Sequence, residues 1–149
     1  MPDRCTQKMD TFQRALEALN DSLQDYQAFP EARAFRDSVM LNFMLTHEQA
    51  TKQLARYIKT RTIEGQDPNK QSLKELIRIA WRYGLIKETD SWFEYGSARN
   101  NVVHVYDENQ ASTLSASVPQ FYADALFLFQ RLEERLRHED QEIVEDEKG

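Results

Sequence analysis

The chain has 149 residues, of which 40% are hydrophobic and 30% charged, a composition typical of one soluble globular domain and not of a disordered chain. No apolar run approaches the ~20 residues that a membrane-spanning helix requires, and the N-terminus lacks the apolar core of a signal peptide. The lone Cys5 cannot form an internal disulfide, which fits a reducing compartment. We therefore expect a cytoplasmic protein.

The net charge of -6 is unevenly distributed along the chain. Residues 138–149 contain six acids and one lysine, so they carry -5, and residues 1–137 are nearly neutral. Acidic ends of this kind are usually solvated. We expect a single helical domain over residues 1–137 and an acidic, disordered tail over residues 138–149. The whole-chain charge neither excludes an RNA partner nor argues for one.

Apolar residues recur three or four positions apart in several segments, which is typical of amphipathic helices. The first predicted helix runs from about Asp10 to Ala28, and Phe29-Pro30 ends it because a residue before proline disfavours helical dihedrals. The second predicted helix covers about Glu31 to Thr62. A helix of this length would extend roughly 45 Å. Since that exceeds one small core, we expect a partner chain along part of it.

A loop is predicted at Gly65–Asn69, and the third helix follows it. Ser72 and Glu75 have the capping-box spacing, although a start one turn earlier, at Asn69, is also compatible with the sequence. Gly84 is well placed for the left-handed residue that closes a helix. The predicted core face of this helix consists of Leu73, Leu76, Ile77, Ala80 and Trp81.

The fourth helix is predicted to begin with Thr89 or Asp90 as its N-cap. A polar segment, Asp107–Ser117, is predicted to hold one or two helical turns, and the last long helix to start near Val118-Pro119, since proline suits a first turn. The best strand candidate, Val102–Tyr106, has no partner strand. We therefore predict an all-α, up-and-down bundle of four to five helices.

Chemically active side chains concentrate between Arg99 and Tyr106, where a guanidinium, an imidazole and a phenol lie within eight residues. Each alone would more often be a surface arginine, a capping histidine or a packed tyrosine; their combination favours a function. Arg99 and His104 are about 140° apart on an ideal helix, whereas Asn100 and His104 share a face. Either a turn brings His104 back towards Arg99, or a second copy of the chain supplies the complementary group.

Such a site suits metal-independent cleavage of a phosphodiester. His104 could exchange a proton near neutral pH, and Arg99 could stabilise charge that develops on a phosphate. Asn100 could orient the imidazole or hold a non-bridging oxygen. If the attacking group is a ribose 2′-hydroxyl, the substrate is RNA. The chain has no glycine-rich phosphate loop, and no second histidine follows His47-Glu48 at the metalloprotease spacing, so we predict no metal and no cofactor.

The pattern Arg-x4-His-x-Tyr, formed here by Arg99, His104 and Tyr106, resembles the signature of the HEPN superfamily of small α-helical bundles. More narrowly, the chain is similar to HepT-like proteins, also called nucleotidyltransferase substrate-binding proteins, which are paired with minimal nucleotidyltransferases. The features that carry this narrower resemblance, besides helix order and length, are Phe43, Glu48, Lys52, Trp92 and Asp107.

The resemblance implies a homodimer in which two Arg-His pairs meet in a cleft, and a toxin that acts as an endoribonuclease. It also implies an antitoxin nucleotidyltransferase that adds AMP to Tyr106. This modification would place negative charge and bulk beside Arg99 and His104 and so oppose the entry of RNA phosphates. The older family name implies a different role, a binding subunit that presents a substrate and cleaves nothing. A purely structural helical dimer is a third interpretation.

Overall fold

A computed structural model of the chain describes residues 4–61, 72–104 and 106–148. Within these ranges the fold is an all-α bundle without strands, which confirms the predicted fold class. Its elements are α1 (Arg4–Ala28), α2 (Arg33–Lys59), α3 (Leu73–Arg82), α4 (Thr89–Asn100), a 3-10 helix (Asn101–His104) and α5 (Glu108–Lys148). In the strand candidate, residues 102–104 are 3-10 helical and Tyr106 lies in a turn.

The core lies where one face of each long helix meets the other two. Helices α1, α2 and α5 pack pairwise, and the short helices α3 and α4 pack on each other and on α2. Phe12 of α1 meets Phe129 of α5 edge to face at 5.5 Å between ring centroids, and Phe43 of α2 meets Phe121 of α5 at 4.8 Å. Burial of each such ring contributes about 1.5–3 kcal/mol. These contacts join α5 to both α1 and α2 through the core.

The predicted ends of α3 are confirmed. The Ser72 side chain accepts a hydrogen bond from the Glu75 backbone N–H at 3.3 Å, as an N-cap residue does. At the other end Gly84 has φ +72, and the backbone N–H groups of Gly84 and Leu85 donate to Trp81 and Ala80. This is a Schellman motif, which requires the left-handed conformation that glycine adopts without steric cost.

Two local predictions in this region are wrong. Trp81 is 55% exposed instead of buried, because the ten-residue α3 buries only a narrow face and Trp81 lies one position beyond Ala80, the last buried residue on it. Helix α4 is preceded by Glu88 as N-cap, not by Thr89 or Asp90. Glu88 has an extended backbone and no capping hydrogen bond from its side chain, so the side-chain signal that the prediction used does not operate here.

The predicted start of α5 near Val118-Pro119 is also wrong, since the helix already begins at Glu108 and contains Pro119. Proline in a helix interior removes one hydrogen bond, to Ser115 here, at a cost of about 3 kcal/mol. Burial offsets this cost because the apolar stripe extends upstream of the proline. Its buried members there are Ala111, Leu114 and Val118. The helix runs on to Lys148 and so includes residues 138–148; the disorder expected for residues 138–149 stays a prediction.

The bounds of the first two helices differ from the predicted ones by a few residues. Helix α1 starts at Arg4 instead of Asp10, and α2 covers Arg33–Lys59 instead of Glu31–Thr62. Thr62, the predicted loop at Gly65–Asn69 and the alternative start of α3 at Asn69 lie outside the described residues. None of the helices in the described part of the chain combines the length and apolar character that crossing a membrane requires.

Candidate functional site

Arg99 lies on the inner side of α4, near the end of that helix. The buried residues Trp92 and Tyr95 precede it on the face that packs on α2 and α5, and Arg99 follows Tyr95 by one turn. The Arg99 side chain is half-buried, and within residues 4–61, 72–104 and 106–148 it makes no hydrogen bond or ion pair. A half-buried guanidinium with unused donors is suited to bind an anion.

An aromatic cluster fixes this part of α4. Phe121 of α5 is its centre, with ring centroids 4.8 Å from Phe43, 5.1 Å from Tyr95 and 6.0 Å from Trp92. The Tyr95 hydroxyl donates a hydrogen bond to Asp124 at 2.5 Å. Burial, and then this hydrogen bond, raise the pKa of Tyr95, so its hydroxyl keeps the proton that it donates. The part of α4 that carries Arg99 is thereby packed against both α2 and α5.

His47 of α2 belongs to the same cluster, and the sequence did not identify it as part of a site. Its ring lies 6.1 Å from Phe43 and 6.1 Å from Phe121, and the residue is only 2% exposed. Burial, and to a smaller extent the positive charge of Arg99, lower the pKa of His47 to about 4. His47 and Arg99 are therefore neighbours across the α2–α4 interface. The available signal was its position four residues after Phe43 on the buried stripe of α2.

His104 and Tyr106 lie on the solvent side of the molecule. Helix α4 ends at Asn100, and the 3-10 helix carries the chain outward to His104. His104 is exposed, and Tyr106 is 79% exposed. The His104 Nδ1 atom lies 3.5 Å from the Tyr106 hydroxyl, at the outer limit of a hydrogen bond, and the rings meet edge to face at 6.0 Å. Both groups are accessible to a ligand or a second protein.

The start of α5 anchors the chain directly after Tyr106. The Asp107 carboxylate accepts hydrogen bonds from the backbone N–H groups of Asn109 at 2.9 Å and Gln110 at 3.2 Å, so it caps α5. Glu108 pairs with Arg33 of α2, and this pairing lowers the pKa of Glu108 and raises that of Arg33. Arg36 lies 4.0 Å from the same carboxylate. These contacts tie the segment around Tyr106 to the first turn of α2.

The structure thus places the predicted site residues in two groups. His104 and Tyr106 are in contact, Arg99 is beside His47, and Asn100 is exposed at the last position of α4. Within the described part of a single chain, no hydrogen bond and no cation–π contact joins Arg99 to His104. The arrangement offers a half-buried guanidinium and an accessible imidazole on successive segments.

A groove of about 580 Å³ lies elsewhere, between α1, α2 and α5, and contains none of these residues. Its aromatic residues are Tyr57 and Phe129. Phe129 follows Glu108 by 21 residues on α5, or about 32 Å along the helix axis. The groove is therefore remote from the Arg99–Tyr106 segment. In the three ranges that the structure describes, no group of three or more His, Cys, Asp or Glu side chains is arranged to hold a metal ion.

Comparison with known proteins identifies relatives of this fold. The sequence profile of a family described as nucleotidyltransferase substrate binding protein like matches residues 7–138. A probable ribonuclease HepT of Haemophilus influenzae is 28% identical over 97 residues, an alignment that covers 65% of this chain and 66% of that protein, just under two thirds of its length.

Two solved structures share the fold. A Haemophilus influenzae structure, which reveals the fold of a substrate binding domain of a nucleotidyltransferase, aligns with a TM-score of 0.79 and 22% identity over 84% of this chain and 98% of that chain. A crystal structure of a toxin-antitoxin with AMP-PNP aligns with a TM-score of 0.66 and 21% identity over 89% of this chain and 99% of that chain. At these identities the likeness concerns the fold, and it agrees with the predicted bundle.

Proposed function

The chain belongs to the HepT-like, nucleotidyltransferase substrate binding protein like family, and on that premise we propose that it is the toxin of a toxin-antitoxin pair. In this proposal it is a metal-independent endoribonuclease of the cytoplasm, and a cognate minimal nucleotidyltransferase neutralises it. The observation that carries the proposal is the half-buried guanidinium of Arg99, which has no hydrogen-bond partner among the described residues and lies one short segment before the accessible imidazole of His104. An anionic substrate that also needs proton transfer suits this combination.

The chemistry that these side chains support is a transesterification of RNA. The ribose 2′-hydroxyl attacks phosphorus while His104 accepts its proton, and the bond from phosphorus to the 5′-oxygen breaks. The proton returns to the departing 5′-oxygen, which leaves a 2′,3′-cyclic phosphate and a free 5′-hydroxyl. Arg99 binds a non-bridging oxygen as negative charge grows on it, and Asn100 holds a second oxygen or the imidazole. General acid–base catalysis contributes typically about 10²–10⁴-fold to the rate.

We propose further that the working unit is a homodimer. Because no hydrogen bond joins Arg99 to His104 within the described part of one chain, a second copy would supply the complementary group. Large apolar side chains on the surface of α2 and around the motif support this assembly, since exposed apolar patches mark interaction sites. Leu41 is 51% exposed, Leu45 44% and Val103 72%.

Tyr106 is the proposed acceptor of AMP from the nucleotidyltransferase. Its 79% exposure allows a partner enzyme to reach the hydroxyl, and its distance of 3.5 Å from the His104 Nδ1 atom places any added phosphate beside the imidazole. The test is intact-mass measurement after incubation with the partner and ATP. The wild-type chain should gain the mass of one AMP group and Tyr106→Phe should not. An equal mass gain in Tyr106→Phe would exclude this acceptor.

A second candidate function is a non-catalytic subunit that presents a substrate to the nucleotidyltransferase. The fold likeness to a substrate binding domain favours it. It predicts a stable complex with the nucleotidyltransferase on co-expression, and intact RNA when the purified chain is incubated alone. The third interpretation, a purely structural dimer, predicts that changes at Arg99, His104 and Tyr106 alter only stability.

The deciding experiment is RNA cleavage by the purified full-length protein in the presence of a metal chelator. His104→Ala should reduce cleavage by about 10²–10⁴-fold. His138→Ala is a matched control because it removes another exposed histidine, on α5, and should cleave like wild type. Equal cleavage by wild type and His104→Ala would remove His104 from the mechanism. Absence of cleavage by the wild-type dimer would favour the binding subunit.

A further inference from the structure

His47 has hydrogen-bonding capacity that the bundle does not use. Both of its ring nitrogens are buried, and neither has a hydrogen-bond partner within residues 4–61, 72–104 and 106–148. A neutral imidazole always carries one N–H donor and one bare nitrogen that can accept. Burying such groups unpaired is unfavourable, whereas a phenyl ring would occupy the same place between Phe43 and Phe121 without that cost. We therefore expect the His47 imidazole to have a hydrogen-bond partner.

Arg99 has the complementary capacity. It carries five N–H donors and no acceptor, and no described residue accepts from any of them. It lies on α4, one turn beyond Tyr95, which shares Phe121 as a ring neighbour with His47. Its positive charge also lowers the pKa of the His47 imidazole. The unused acceptor and the unused donors therefore belong to residues of two helices, α2 and α4, that pack on each other.

We propose that His47 is a positioning residue for Arg99: the structure contains no hydrogen bond between them, but one forms when the Arg99 side chain turns inward and donates a guanidinium N–H to the bare His47 ring nitrogen. That hydrogen bond directs the remaining N–H groups towards the site entrance. The phosphate that those groups would then bind rests on the proposed function, but the orientation of Arg99 does not. A neutral acceptor has a specific advantage over the usual carboxylate. It fixes the guanidinium without compensating its positive charge, so the full charge stays available for an anion.

Burial and the nearby arginine keep His47 in the form that this role needs. With its pKa lowered to about 4, the imidazole is uncharged at neutral pH and offers an acceptor instead of a repelling cation. His47 does not touch the substrate in this scheme, because its ring nitrogens are shielded from solvent. Its effect passes entirely through the geometry of Arg99.

The direct test is NMR of the full-length protein labelled with ¹⁵N, observing the Nε–H group of Arg99 and the ring nitrogens of His47. In the wild type we expect slow hydrogen exchange at the Arg99 Nε–H. Replacing Arg99 with alanine should change the ¹⁵N chemical shift of the bare His47 ring nitrogen. His47→Phe keeps an aromatic ring but removes the acceptor, so Arg99 exchange should accelerate, and His47→Gln should restore part of the protection.

Thr46→Val is the matched control, since it removes another buried polar group of α2 whose hydroxyl donates to Ala15 of α1 at 3.1 Å instead of facing α4. It should leave the Arg99 signal unchanged. The proposal is overturned if His47→Phe also leaves the exchange rate of the Arg99 Nε–H unchanged, or if Arg99→Ala does not change the chemical shifts of the His47 ring nitrogens. These readouts hold whether or not the protein cleaves RNA.

Where the wild type cleaves RNA, a kinetic readout follows. His47→Phe should lower kcat by about tenfold to a hundredfold, the loss expected when a reacting group is misplaced by about 1 Å, and His47→Gln should regain part of it. Thr46→Val should keep wild-type kinetics. An unaltered kcat in a folded His47→Phe protein would contradict the positioning role. Absence of cleavage by the wild type would reject only the proposed ribonuclease function.

Discussion

The two halves of the candidate site are held in place by different physical means. Arg99 and His47 lie in an interface packed by Phe121, so the geometry of this half depends on the core. His104 and Tyr106 are exposed, and their placement depends on where α4 ends and where α5 begins. Substitutions on the buried side should therefore alter both the stability of the fold and the activity of the site. Substitutions on the exposed side should be able to alter one of the two without the other.

The largest loss of stability is expected when the aromatic cluster on the buried side loses its central ring. Phe121→Ala removes a fully buried ring that touches α2 and α4, and should lower the free energy of unfolding by about 3–5 kcal/mol. Urea unfolding measures this loss. Phe127→Ala is the control, since Phe127 is only half-buried on the same helix and its loss should cost clearly less. An equal loss of unfolding free energy in Phe121→Ala and Phe127→Ala would show that the aromatic cluster does not support α4.

A second prediction concerns pH and again isolates the buried side. The unfolded chain protonates His47 near its ordinary pKa of 6.5, whereas the folded chain does so only near 4. Protons are therefore bound more readily by the unfolded state, and stability should fall as pH drops from about 6.5 to 4, by about 3 kcal/mol from this residue.

The measurement is urea unfolding at several pH values for wild type and His47→Phe. Glu108 has a lowered pKa and loses stabilising charge in acid as well, so the difference between the two proteins is the relevant quantity. His47→Phe should have the flatter profile. Parallel profiles would show that His47 is not buried in its neutral form.

On the exposed side, Asp107→Ala should remove the cap of α5 and cost about 1 kcal/mol of stability. Asp107→Asn keeps a capping oxygen and should cost little. Because the cap lies directly after Tyr106, the alanine variant should also slow the transfer of AMP to Tyr106. A normal rate of transfer with reduced stability would mean that the cap supports the helix but not the acceptor.

The smallest effect is expected from Glu108→Gln, which breaks an exposed ion pair with Arg33. Exposed pairs contribute little and are screened by salt. We expect a slight fall in Tm at low salt that disappears at high salt. Lys52→Gln, which breaks the exposed pair of Lys52 with Glu48 at 3.1 Å within α2, is the control without any link to the motif. A large, salt-independent loss in Glu108→Gln would place this contact among the main supports of the fold.

The sequence predicted those features that depend on local periodicity and backbone chemistry. The helices, the cap at Ser72 and the left-handed Gly84 are of this kind, and they are confirmed. Trp81 and the start of α5 were predicted wrongly, because burial in the assembled bundle decides which face is covered and whether a helix tolerates Pro119.

The candidate site was predictable only in part. The motif residues stand out by their chemistry, but how Arg99 and His104 are supported depends on contacts between distant segments. His47 is 52 residues from Arg99 along the chain, and no local pattern brings the two together. The roles of Arg99, Asn100, His104 and Tyr106 stay predictions, as does the dimer that would complete the site.

The most direct test of the proposed shared site uses mixed dimers of Arg99→Ala and His104→Ala chains, co-expressed with two different tags and purified through both. If each site takes Arg99 from one subunit and His104 from the other, one of the two sites in every mixed dimer is intact. We predict about half of the wild-type RNA cleavage for the mixed dimer and almost none for either homodimer. A mixed dimer as inactive as both homodimers would contradict a site built across two subunits.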